Sequence, residues 1–323
     1  MNKYATQSKY ISSLCTAYDK NADLGFFAQQ IYAFSSNSNY FPDPYMGFRL
    51  IAQKSKYLSI LEDGSRSLGS TSISNLYDNK KGLLLCYGGS VMFGSYSASD
   101  AKTIPGYLGK SENLSKNYEI KNLALPGAII VQNFSHFFNY VYPKLAYGRK
   151  FRIVFLFGFN EFQSMVINNS IYNSPIVGPL QSLLGKSRIV KLIKSKSRIK
   201  DINSARIATS TKIEIDSLIN HAEAFARLIS LIGGEAFFYF QPILSRSKKK
   251  RIEIENKFGK LDIENLDYFV SNFRNKNSNY IKFRDLSDIF DSVDDQIFID
   301  EVHMGCKGNR LISQCIVKDL DSV

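Results

Sequence analysis

At 323 residues, 44% of them hydrophobic and 22% charged, the chain has the composition of an ordinary globular protein, and it is long enough to bury a sizeable core. A net charge of +12 attracts anions without choosing among acidic glycans, nucleotides, nucleic acid and membrane surfaces. The opening residues MNKYATQSKYISSL hold no apolar core of signal-peptide type, and no stretch approaches about 18 uninterrupted apolar residues, so a cytoplasmic location without a membrane-spanning helix is expected.

Residues 1 to about 40 place apolar side chains at three and four spacing (Tyr10, Leu14, Tyr18, then Leu24, Phe27, Ile31, Phe34), which predicts two helices. Ser35 to Gly47 reads as loop because Pro42 and Pro44 oppose regular structure. A short extended piece, Tyr57 to Leu61, and a Ser/Gly-rich connector follow. Residues 1–80 are therefore expected to form a mainly helical N-terminal appendage.

From Lys81 the pattern changes to strand, loop and helix in repetition, which predicts a parallel sheet covered on both faces over residues 81–323. The expected strands are Leu83 to Tyr87, Tyr118 to Leu123, Arg152 to Phe157, Ala236 to Gln241 and Tyr280 to Arg284. Helical patterns lie near Thr103 to Lys116, Ile129 to Tyr147, Lys212 to Ile232 and Asn256 to Asn272. A basic insertion around 168–210 interrupts the rhythm. It contains KSRIVKLIKSKSRIK, Lys186 to Lys200, and a second basic run, Ser245 to Arg251, follows a strand. Both read as solvated surface or as a rim that gathers an acidic substrate or touches an anionic membrane.

The segment Lys81 to Ser95, KGLLLCYGGSVMFGS, runs an apolar strand into two glycines and Ser90. Such a strand end sets a polar side chain at the sheet's carboxyl edge beside free N–H groups. A phosphate-binding loop is the first alternative, but Ser95-Tyr96 stands where that motif needs Lys and then Ser or Thr. A glycine turn without chemistry is the second.

Ligands of an open parallel sheet sit beyond its carboxyl edge, so the segments after the other strands matter equally. They supply Gly127 in NLALPGA, Asn160 in GFNE and, near the C-terminus, Asp300-Glu301-Val302-His303 followed by Gly308-Asn309. A serine hydroxyl needs an adjacent base, for which His303 is the candidate. Asp300, three residues earlier, would share a face with His303 on one helical turn and hold its other ring nitrogen. Asn160 is also a residue type that caps helices, and His303 one that closes surface turns.

These blocks, in this order, resemble those of the SGNH hydrolases, the GDSL-type esterases and lipases, from about Gly82 to the C-terminus. GGS stands in place of GDS, and GFNE in place of GxND. The resemblance implies a flavodoxin-like three-layer α/β/α sandwich with a five-stranded parallel sheet. It also implies Ser90 as nucleophile, His303 as base, Asp300 as its orienter, and the Ser90 N–H, Gly127 N–H and Asn160 amide as oxyanion donors. The expected activity is hydrolysis of an acyl ester, foremost an O-acetyl ester of a polar carbohydrate, and the net charge of +12 suits an anionic one. The alternatives are an O-acyltransferase of polysaccharide biosynthesis using the same residues and a non-catalytic module for an acidic polymer.

No cofactor or metal is expected, since HExxH and paired Cys motifs are absent. Cys15, Cys86, Cys306 and Cys315 are widely spaced and read as free thiols. The basic runs carry no nucleic-acid motif, so nucleic acid is not expected as a partner.

Overall fold

A computed structural model describes residues 40–54, 58–69, 81–168, 204–246, 263–276, 279–294, 297–298 and 301–322. The helices read over residues 1–40, the basic stretch 186–200, residues 247–251 and Asp300 lie outside the described residues.

The centre is a five-stranded parallel sheet of β5 (Gly82–Gly88), β6 (Tyr118–Asn122), β7 (Phe151–Phe157), β8 (Gly234–Phe240) and β9 (Lys282–Asp285), in the order β6-β5-β7-β8-β9. The three inner strands are nearly continuous apolar runs because both of their faces are covered. Leu83, Leu85 and Tyr87 of β5 face one core, and Leu84 and Cys86 face the other.

On the first face, the sheet packs against α4 (Ile130–His136), α6 (Ser204–Leu231) and α7 (Ile263–Asn275). Aromatic rings carry this contact: Phe134 stacks on Phe225 at 3.9 Å, and Phe155 stacks on Phe238 at 5.2 Å. Truncating a ring buried like Phe155 to Ala typically costs about 3 to 5 kcal/mol. The second face is covered by α1 (Ser90–Phe93), α2 (Ile104–Leu108), α3 (Glu112–Asn117) and α8 (Cys306–Asp321), with Met92, Phe93, Ile104, Leu108, Ile312 and Ile316 in its core. The remaining described helix, α5 (Phe159–Asn168), follows β7. This is the three-layer sandwich the resemblance implied. Its winding reverses between β5 and β7, and that reversal opens a crevice at their carboxyl ends.

Two helical expectations are subdivided. Thr103 to Lys116 becomes α2 and α3, separated at Gly109, and the stretch from Ile129 passes from α4 into a π turn (Phe137–Val141) and a 3-10 turn (Tyr142–Lys144). Pro143 lacks the N–H a continuing helix would use.

The described N-terminal part is extended. β1 (Tyr40–Asp43) pairs antiparallel with β2 (Gly47–Leu50), and β3 (Gln53–Lys54) with β4 (Ser59–Ile60). The loop expected around Pro42 is thus a hairpin strand, which a two-stranded ribbon tolerates because each strand has a free edge. Met46, Phe48, Leu50, Leu58 and Ile60 join the second core.

Arg66 enters deepest, at 1% exposure. Its Nε donates to Asp100 Oδ1 at 2.8 Å, and its Nη1 donates to the carbonyls of Phe93 and Gly94 at 3.0 and 2.8 Å. Asp100 in turn accepts from the Ser59 N–H. The guanidinium therefore adds a charged donor to the carbonyls at the C-terminal end of α1, which also accept from Asn122 Nδ2 and the Ser97 N–H. Among the described residues, no helix is long and apolar enough to cross a membrane.

Candidate active site

β5 ends in Gly88 (φ 156°), where a Cβ would overlap the Leu156 carbonyl of the neighbouring strand. Gly89 then caps α1, and a Cβ there would collide with the Asn160 amide nitrogen. The two glycines therefore let the chain turn sharply and admit a polar group against the backbone one residue before Ser90. Ser90 is the first residue of α1, at the carboxyl edge of the sheet.

His303 comes from the other end of the domain, and its Nε2 lies 2.6 Å from Ser90 Oγ. The ring is held by its neighbours in sequence. Val302 and Met304 are buried, Met304 bridges Phe298, the Gly305 N–H donates to the Ile297 carbonyl, and the Glu301 carbonyl accepts from the Leu244 N–H. Among the described residues of the D-x-x-H segment, 301–302 bend, Met304 forms the bridge, and α8 begins only at Cys306.

Asn160 lies in the first turn of α5 and donates from Nδ2 to the Ala128 carbonyl at 2.9 Å. The side chain is therefore turned toward the loop after β6 and not back to its own helix. An amide nitrogen carries two hydrogens, and the Ala128 carbonyl uses one of them. Gly127, at φ 78°, makes the turn immediately before Ala128. The loops after β5, β6 and β7 thus meet where the Asn160 amide touches Gly89 and Ala128, the chain neighbours of Ser90 and Gly127.

Glu161, the residue after Asn160, is a buried carboxylate that the sequence did not single out. Its carboxylate, on a residue only 2% exposed, accepts from the Ile130 N–H at 2.7 Å and from the Gly158 N–H at 2.7 Å. Burial raises its pKa, and the hydrogen bonds from the Gly158, Glu161 and Ile130 backbone oppose that rise. One side chain therefore fastens the loop that carries Gly127 to the turn that carries Asn160. The signal was a carboxylate directly after an apolar strand end, visible in GFNE only as a departure from the GxND pattern.

The Gly308-Asn309 pair also has a location. A Cβ at 308 would press on Ile297 and Met304, and Asn309 Nδ2 donates to Ser97 Oγ at 2.9 Å and the Lys102 carbonyl at 3.1 Å. The start of α8 is thereby joined to the loop after α1. Of the other histidines, His136 meets the Tyr87 hydroxyl through Nδ1 at 2.9 Å, and burial lowers its pKa to about 4. Among the described residues, no group of three or more His, Cys, Asp or Glu converges as a metal site.

No family model and no curated protein matches the chain. Several solved structures are similar at low identity. An acetyl xylan esterase, AlAXEase, aligns with a TM-score of 0.42 at 11% identity over 73% of this chain and 98% of its own. LAE5, an alpha/beta hydrolase enzyme from the metagenome of Lake Arreo, aligns at 0.43 and 10% over 75% of this chain and 96% of its own. A carbohydrate acetylesterase family member from Sinorhizobium meliloti aligns at 0.38 and 16% over 75% of this chain and all of its own, 100%. At such distances the chemistry has to be read from Ser90, His303 and their surroundings.

Proposed function

We propose that the protein is a serine-dependent esterase acting on an O-acetyl ester of a carbohydrate. The observation that carries this reading is the 2.6 Å approach of His303 Nε2 to Ser90 Oγ, beside two strand-end loops that bear a glycine turn and a side-chain amide. A neutral imidazole at that distance takes the hydroxyl proton as Ser90 attacks the acyl carbon, then returns it to the departing alcohol. Water repeats the sequence on the acyl-enzyme. Developing negative charge on the carbonyl oxygen is met by the Ser90 and Gly127 N–H groups and the second amide hydrogen of Asn160. Asp300 is assigned to orient His303, on the strength of the D-x-x-H spacing.

The net charge of +12 favours an acidic glycan as the alcohol. The test is intact-mass detection of an adduct after treatment with a serine-reactive phosphonate, together with hydrolysis of aryl acetate. A single adduct that maps to Ser90 and disappears in His303→Ala is expected, and labelling elsewhere with full activity in Ser90→Ala would overturn the assignment. For the acidic alcohol, kcat/KM on an anionic acetylated glycan should fall with salt while that on a neutral aryl acetate stays flat. Equal salt dependence removes that part of the proposal.

A further inference from the structure

Tyr96 is the only non-glycine residue among the described ones with a positive φ, 66°. A bulky aromatic side chain in the left-handed region is an outlier that persists only where its surroundings over-determine it. They do so here. Both neighbours are buried serines, Ser95 at 7% and Ser97 at 0% exposure. The Ser95 N–H donates to the Ser90 carbonyl at 2.9 Å, and the Ser97 N–H donates to the Gly94 carbonyl at 3.0 Å. Ser97 Oγ receives the Asn309 amide from α8. The backbone is thus pinned on each side of Tyr96, and the residue itself remains half-buried.

What this conformation achieves is placement. The Tyr96 ring stands edge to face against His303, with centroids 4.8 Å apart and planes at 68°. In the esterase reading, on which this inference rests, His303 delivers its proton to the departing alcohol, so that alcohol must lie within hydrogen-bond reach of Nε2. A ring packed on His303 therefore borders the leaving-group side of the crevice. The C–H face of a pyranose is apolar and flat, and an aromatic ring is its natural partner. We propose that Tyr96 is a specificity-determining residue, a platform that selects a cyclic sugar as the alcohol portion of the ester, and that its left-handed backbone is retained for this purpose.

Selectivity and stability should separate on substitution. Tyr96→Asn removes the ring and places a residue that tolerates the left-handed region, and Tyr96→Phe keeps the ring. The readout is the ratio of kcat/KM on an O-acetylated methyl pyranoside to kcat/KM on ethyl acetate, so that a common loss at His303 cancels. In Tyr96→Asn this ratio should fall about tenfold, the scale of one apolar contact, while Tyr96→Phe retains it. The melting temperature of Tyr96→Asn should hold or rise by about 2 °C as strain is released.

An unchanged ratio in Tyr96→Asn, with the Ser90 phosphonate adduct still forming, overturns the platform and leaves the esterase standing. A ratio that falls together with a melting temperature lowered by several degrees also overturns it, since the ring would then be structural packing. Failure of the wild type to form the adduct overturns both readings.

Discussion

Two histidine–hydroxyl pairs flank the same strand, and they differ in what surrounds them. Tyr87, the sixth residue of β5, meets His136 Nδ1 at 2.9 Å inside the first face, while Ser90, two residues past the strand, meets His303 Nε2 at 2.6 Å in the crevice. Burial raises the Tyr87 phenol well above its usual range and lowers His136 to about 4, so near neutral pH both partners are held uncharged. The first pair is a satisfied core contact. The second stands at the carboxyl edge of the sheet, where Asn160 lies against Gly89 and donates to the Ala128 carbonyl. Proximity of a base to a hydroxyl does not by itself make a catalytic site. In the proposed esterase, donors placed where charge develops would distinguish the second pair from the first.

The sharpest way to break the comparison is to remove each hydroxyl. Ser90→Ala should lower aryl acetate hydrolysis by about a thousandfold or more, whereas Tyr87→Phe should leave the rate within a few fold and lower the melting temperature. A comparable rate loss in both would erase the distinction.

Removing donors comes next. Asn160→Ala should reduce kcat by about a hundredfold to a thousandfold with little change in KM, because its hydrogen bond strengthens in the transition state. In Glu161→Gln, one of the two backbone N–H groups faces an amide NH2 and not an oxygen, and a kcat loss of roughly tenfold is expected. If Glu161 acts by holding Asn160, the losses in the double variant should be less than multiplicative, and strict multiplicativity would make Glu161 a purely structural residue.

The smallest effect is a pH dependence that belongs to the buried pair alone. With a folded pKa near 4 against 6.5 when unfolded, His136 takes up its proton first in the unfolded chain. Stability should therefore decline as pH falls from about 6.5 toward about 4, by about 3 kcal/mol at most. His136→Gln should flatten that part of the profile in chemical denaturation. An unaltered slope would assign it to other groups.

Much of the sheet was legible because its inner strands are buried on both faces and leave unbroken apolar runs. Leu83 to Tyr87, Arg152 to Phe157 and Ala236 to Gln241 differ from the observed strands by no more than two residues at either end. The strand-end positions of Ser90 and Asn160 followed from the same logic. What stayed hidden has no period. Arg66 sits in a Ser/Gly-rich connector, where a charged residue ordinarily signals solvent, yet it is buried against α1 by contacts that only the folded chain brings together. Tyr96 gives no sign of a left-handed backbone, because the cause lies in Ser95, Ser97 and Asn309. The backbone around His303 has no period either, because it is set by the Gly305 N–H to the Ile297 carbonyl and the Met304 bridge to Phe298.

The route that Arg66 takes also bears on how the molecule avoids its own copies. β6 is an edge strand, and an open edge invites pairing with another chain. The Arg66 N–H donates to the Asn122 carbonyl at 2.9 Å, which occupies the end of that edge nearest the crevice. Lys121, one residue back, is held by Asp63 at 2.7 Å. At the opposite edge β9 has only four residues, and Lys282 and Arg284 form ion pairs with Glu235 and Asp319. Both margins of the sheet are therefore short, charged or already bonded. Arg66→Gly keeps that N–H but loses the guanidinium contacts that hold the segment in place, so a variant whose segment has detached should associate through β6 before it precipitates through its core.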